Sequence, residues 1–142
     1  MKKEAPLETA SEIARAVDAL RGAYDAFNRG DIEAAVKPLD PQIEWTEPVE
    51  FPGGGTYFGP DRVKEYLTQS REAWAEVRSE PEQFIPAGNK IVVFVHARVR
   101  AKDTGEWQEV LLADVYTFRE GKAVHMRAFA DRQEALRWAG ID

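Results

Sequence analysis

The spacing of apolar residues changes once along this chain, near Ser79, and that change restricts the fold more than any other feature. Before it the recurrence is helical. Ile13, Val17, Leu20, Tyr24 and Phe27 share one stripe, with a Thr9/Glu12 capping box to open the helix and Gly30 to stop it. Asp31 caps a shorter helix carrying Ile32, Ala35, Val36 and Leu39, and a strand follows from Ile43 to Glu47. A Pro- and Gly-rich loop spans 48–59. Pro60 then opens a third helix, with a stripe of Val63, Tyr66, Leu67, Trp74 and Val77. From Ser79 on, alternation takes over in four strand-like stretches (79–86, 90–101, 107–118 and 122–130). Gly88-Asn89, Asp103-Thr104-Gly105 and Glu120-Gly121 separate them as hairpin turns. Asp131 opens a short C-terminal helix closed by Gly140. Helices first and a meander afterwards predict an α+β layer fold, with the helices against one face of an antiparallel sheet. Residues 1–142 read as one domain, with 1–8 expected to form a flexible N-terminal tail.

Composition narrows the chemistry open to such a domain. The chain lacks Cys, which removes thiol nucleophiles, disulfides, iron–sulfur clusters and thiolate zinc sites. Two histidines leave little for an imidazole-rich metal centre. A net charge of −6 argues against nucleic acid, whose binding needs clustered Lys and Arg. The longest apolar run, Ile91–Val95, is far below the roughly 20 residues of a membrane helix, and no apolar stretch follows Lys2-Lys3 to make a secretory signal. The expectation is a cytoplasmic protein with no metal, no cofactor, and no nucleic-acid or membrane partner. Gly53-Gly54-Gly55 is not a phosphate loop, because Pro60 stands at the lysine position, and no serine sits in a nucleophile elbow.

Particular residues carry a family resemblance. Asn28-Arg29-Gly30-Asp31-Ile32-Glu33, the strand end Glu47-Pro48, Gly54-Gly55-Thr56-Tyr57-Phe58-Gly59, Asp114-Val115-Tyr116-Thr117-Phe118, Glu120-Gly121-Lys122 and Met126-Arg127 resemble the SnoaL-like branch of the nuclear transport factor 2-like (NTF2-like) superfamily. That branch includes ketosteroid isomerases, limonene epoxide hydrolases and polyketide cyclases. The resemblance implies a cone: N-terminal helices packed in a strongly curved antiparallel sheet around an apolar pocket, with homodimers formed through the outer sheet face. It places Glu47 where ketosteroid isomerases have their proton-shuttling Asp, and Asp114 where they have the protonated Asp of the oxyanion hole. The family's oxyanion Tyr falls on Ala23, with Tyr24 one position away. The resemblance places the epoxide-hydrolysis residues at about Val95 and Ala97 and at Ala128, which argues against that mechanism.

The residues read by themselves point to the same two acids. Asp114 interrupts Val110-Leu111-Leu112-Ala113 and Val115-Tyr116, sharing a strand face with Leu112 and Tyr116. An isolated carboxyl on an apolar face resists ionisation, stays neutral and donates a hydrogen bond. The plainer alternative is a structural carboxylate satisfied by a tyrosine hydroxyl or a backbone amide. Glu47 shares its face with Trp45 and suits a general base, or a rim glutamate paired with Arg. Tyr57, Tyr116, Trp45, Met126, Tyr24 and Trp74 are the candidate walls for a small hydrophobic ligand. The resemblance places His96 and His125 on the outer sheet face, where a dimer interface is expected. The function these features imply is a cofactor-free isomerase, dehydratase or cyclase that uses carboxylate acid–base chemistry on a hydrophobic carbonyl compound. The alternatives are a non-catalytic binding module for an apolar metabolite and a dimerisation scaffold.

Overall fold

In the computed structural model, which describes residues 9–141, helix α1 (Ala10–Asn28) starts at the expected capping box: the Thr9 side chain accepts from the Glu12 N–H, and the Glu12 side chain from the Thr9 N–H. The expected tail, residues 1–8, lies outside the described residues. Asp31 caps α2 (Ile32–Ala35) through the Ala34 N–H. Then come β1 (Leu39–Glu47), β2 (Gly55–Phe58), α3 (Pro60–Glu72), β3 (Glu76–Ala87), β4 (Lys90–Arg100), β5 (Trp107–Arg119), β6 (Lys122–Phe129) and α4 (Arg132–Trp138). The six strands form one sheet in the order β2-β1-β6-β5-β4-β3. No helix among the described residues is long and apolar enough to cross a membrane.

The α+β class and the four-strand meander match expectation, and five details differ. β1 runs parallel to β6, so the sheet is mixed. Parallel neighbours need a long crossover, and the chain from β2 through β5 supplies it. The segment read as loop contains the edge strand β2, whose pairing with β1 overrides its poor local signal. Helix α3 stops at Glu72, which leaves Trp74 in a bend and Val77 in β3, because Glu76 and Val77 pair with Arg100 and Val99. β1 begins at Leu39, read above as helical, through its pairing with Ala123. Lastly, α4 does not join the other helices. With Ile141 it covers Val92, Ala113, Val115 and Phe129 on the outer face.

The inner face holds the larger core. Ala16, Leu20 and Tyr24 of α1 pack against Trp45, Val93, Tyr116, Phe118 and Met126, drawn from four strands, with Val63 of α3 closing one side. Register shifts in β1, β3 and between Thr117 and Phe118 bend the strands around α1. The last of these also turns Ala123 inward, although simple alternation had grouped it with His125. Both histidines lie on the outer face as expected. His96 contacts Glu82 (3.6 Å) and Glu109 (3.1 Å), while the His125 ring meets Trp138 edge-on at 5.8 Å. Since α4 covers one end of this face, its open part lies toward Trp107 and Leu111, which are 50% and 54% exposed.

Candidate functional site

Strand pairing lines up the inner side chains in rows across the sheet. One row runs Tyr57, Trp45, Met126, Tyr116, Ile91 over five neighbouring strands. Two residues further along, Glu47 pairs with Gly55 on β2, and on the other side Asp114 pairs with Ala128 of β6 and Val93 of β4. Thr46 pairs with Arg127, so the parallel register carries Glu47 to the level of Ala128. The two acids therefore belong to one row, separated by a single strand that presents only a methyl group. Two strand spacings set their backbones roughly 10 Å apart. Trp45, Met126, Tyr116 and Val93 are buried, whereas Glu47 and Asp114 are only half-buried, so the carboxyls sit at the edge of an apolar floor.

Each carboxyl has its own set of donors. The Tyr24 hydroxyl donates to Asp114 Oδ2 at 2.5 Å and accepts from the Tyr116 hydroxyl at 3.1 Å. The indole Nε1–H of Trp45 donates to Glu47 Oε2 at 2.8 Å, and the Tyr66 hydroxyl of α3 lies near enough to favour the charged form of Glu47. Tyr66 is held by the Tyr57 ring, with centroids 4.9 Å apart, and the Tyr57 hydroxyl donates to the Gly53 carbonyl at 2.6 Å. That carbonyl belongs to the loop between β1 and β2, which closes tightly enough that a Cβ on Gly54 would meet the Pro48 oxygen at 2.2 Å.

No Lys, Arg or His among the described residues forms an ion pair with either acid. Without a cation, desolvation dominates. Burial pushes Asp114 up to about 6 against the pull of the Tyr24 hydrogen bond. Glu47 rises to about 8, chiefly from burial and then from the Asp114 charge, against the Trp45 hydrogen bond and the nearby Tyr66 hydroxyl. The Tyr24, Tyr116 and Tyr66 hydroxyls are also pushed well up, by burial first, so all three remain donors. Two neighbouring carboxyls both raised in this way are suited to sharing one proton, one accepting while the other delivers.

Of the residues singled out in the sequence, Glu47, Asp114, Tyr24, Tyr116 and Trp45 meet here, with Tyr57 one contact behind and Met126 fully buried in the floor. Trp74 is not brought in. Its neighbour Ala75 hydrogen-bonds Arg100, seven residues along β4 from Val93, a separation of roughly 23 Å. Two residues escaped sequence reasoning. Tyr66 sits on the α3 apolar stripe, where nothing in the spacing separates a core ring from one whose hydroxyl reaches a carboxylate. Ala128 figured only as a missing acid, yet its small size opens the space between the two carboxyls. Two open grooves elsewhere, along the exposed side of α3 and between α1, α2 and the β5–β6 turn, touch neither acid. Among the described residues no cluster of three or more His, Asp or Glu is arranged to hold a metal.

Comparison with known proteins gives the geometry a context. The SnoaL-like domain family model matches residues 20–126. An NTF2-like protein of unknown function from Burkholderia pseudomallei K96243 is 30% identical with a TM-score of 0.75, over 89% of this chain and 98% of that one. TerC, crystallised with polyporic acid, is 26% identical with a TM-score of 0.74, over 88% of this chain and 98% of its own. A putative polyketide cyclase from Sinorhizobium meliloti shares the fold at 17% identity, with a TM-score of 0.65 over 78% of this chain and 93% of that one. No functionally curated protein matches the sequence.

Proposed function

From the chain's membership of the SnoaL-like domain family, we propose that it is a cytoplasmic, cofactor-free acid–base enzyme that isomerises, dehydrates or cyclises a small hydrophobic carbonyl compound. One observation carries this reading: Glu47 and Asp114 share a row across Ala128, beside Trp45, Tyr24 and Tyr66, and no cation among the described residues pairs with either. A planar ketone lying over Ala128 would have a carboxyl at each edge, one to take a carbon-bound proton and one to protonate the oxygen. Positioned acid–base groups typically contribute 10²–10⁴-fold to rate.

The test is deuterium exchange at the α-carbon, followed by NMR over a panel of enones and polyketide-like ketones. The parent protein should accelerate exchange for at least one compound, and Asp114→Asn or Glu47→Gln should each lower the rate by about 10²-fold or more. Exchange at the buffer rate across the panel would count against catalysis.

One observation favours a non-catalytic alternative: Asp114 already has a short hydrogen bond from Tyr24, as a purely structural carboxylate would. A binding module of this kind would quench Trp45 fluorescence on taking up an apolar ligand, with affinity unchanged by Asp114→Asn. The TerC relative makes polyporic acid the first compound to try. In either reading a second copy of the chain is proposed to pack on the open end of the outer sheet face, around Trp107 and Leu111.

A further inference from the structure

The family resemblance assigns the proton to Asp114 and the base to Glu47. The geometry points to the reverse: in the resting protein Asp114 is the ionised base and Glu47 the neutral proton donor. The assignment rests on the acid–base reading of the pair and says which way its proton moves.

The hydroxyl chain comes first. Tyr116 donates to Tyr24, and Tyr24 donates to Asp114. Both O–H dipoles point at one carboxyl oxygen, and the 2.5 Å contact sits at the short end of hydroxyl hydrogen bonds, in the range typical of a hydroxyl donating to an anion. If Asp114 instead donated to Tyr24, the Tyr24 proton would turn back on Tyr116. The Tyr116 hydroxyl, on a residue only 4% exposed, would then lose the acceptor it has here. Tyrosine protons cannot leave, since burial holds both hydroxyls far above neutrality.

Glu47 has weaker support. Its indole contact at 2.8 Å is an ordinary neutral-donor length, and Trp45 stands only two residues away on the same strand. The other hydroxyl near it, that of Tyr66, is on a residue exposed enough to be shared with solvent. The groups around the pair are Tyr24 and Tyr116 toward Asp114, and Tyr66, with Tyr57 behind it, toward Glu47. β4 and β6 contribute only Val93, Met126 and Ala128. With no cation among the described residues paired to either acid, two charges here repel. The single charge settles on the carboxyl with the polarised hydroxyl chain, and the ordering of the two acids, about 6 for Asp114 and about 8 for Glu47, agrees.

The proton route balances. On a β,γ-unsaturated ketone, an Asp114 oxygen takes the α-proton, the C–H pair forms the new C=C bond, and the carbonyl π pair moves to oxygen, which takes the Glu47 proton. The dienol then receives the Asp114 proton at its γ-carbon, while Glu47 recovers its proton from the oxygen. Both acids return to their starting states, and nothing is consumed.

A bell-shaped rate profile would look the same under either assignment, because coupled acids report macroscopic values. The decisive readout is therefore the carboxyl carbons themselves, titrated by ¹³C NMR in the ligand-free full chain with labelled Asp and Glu. The resonance lost in Asp114→Asn should titrate near 6, and the one lost in Glu47→Gln near 8. Tyr24→Phe should raise the Asp114 midpoint and narrow its separation from Glu47. Should that variant fail to fold, Trp45→Phe serves instead: it should raise the Glu47 midpoint and leave Asp114 unmoved. A Glu47 titrating in the ordinary range, with Asp114 still protonated at pH 8, would overturn the assignment. The titration needs no substrate, so a protein with the stated midpoints that exchanges no α-protons overturns the catalytic reading alone. One that exchanges protons with the midpoints inverted overturns only this assignment.

Discussion

Replacing Glu47 by glutamine isolates what it costs to keep that carboxyl half-buried. Its folded value is raised from 4.5 to about 8. Below about pH 4.5 the folded and unfolded chains both hold the proton, and its contribution to stability is complete. Between 4.5 and 8 the unfolded chain releases the proton and the folded chain keeps it, so stability falls as pH rises, by up to about 1.4 kcal/mol per unit. From pH 5 to 8 that amounts to roughly 4 kcal/mol. The half-buried position of Glu47 admits solvent screening, which brings the expected loss to about 2–3 kcal/mol. Glutamine does not titrate, and its side-chain oxygen can still accept from Trp45. Glu47→Gln should therefore match the parent near pH 4.5 and exceed it by about 2–3 kcal/mol at pH 9, or roughly 4–12 °C in Tm for a domain of this size. Urea unfolding and thermal melting at pH 4.5, 7 and 9 measure this. Parallel stability curves for the two proteins over that range would refute a desolvated Glu47.

Gly54→Ala places a Cβ 2.2 Å from the Pro48 oxygen and 2.6 Å from the Val49 Cα, both backbone atoms that cannot swing aside. It should cost about 1–3 kcal/mol in a melting experiment and weaken ligand binding beside Glu47. Gly22→Ala is the contrast, since nothing lies within 4 Å of its Cβ on the exposed side of α1, and it should stabilise by about 0.5–1 kcal/mol. If a second copy packs over Trp107 and Leu111, Leu111→Arg should convert a dimer to monomer in sedimentation without changing α-proton exchange; an unchanged sedimentation coefficient would remove that face as the interface.

Local chemistry was enough to read much of this architecture. Thr9, Asp31 and Asp131 cap helices because a short polar side chain can reach its own first turn, a fact independent of what the helix packs against. The turns at Gly88, Gly105 and Gly121 each need a positive φ, which composition announces. Alternation put Asp114 and Tyr116 on one shared face, because strand geometry admits two sides only, and the family resemblance told inner face from outer, with both histidines on the outer one. It also singled out Glu47 and Asp114, because a lone charge on an apolar face is conspicuous wherever that face ends up.

What the sequence could not supply was set by pairings between distant segments. β2 and the early start of β3 exist because β1 and β4 offer them partners, and the parallel β1–β6 pair depends on a crossover dozens of residues long. Tyr24, 90 residues from Asp114 in sequence, reaches it only because bulged strands wrap α1, and Tyr66 meets Glu47 only because α3 packs beside β1. Sequence named the two acids. The burial of each and the donors around it set their relative ionisation, because desolvation and hydrogen bonding act through space.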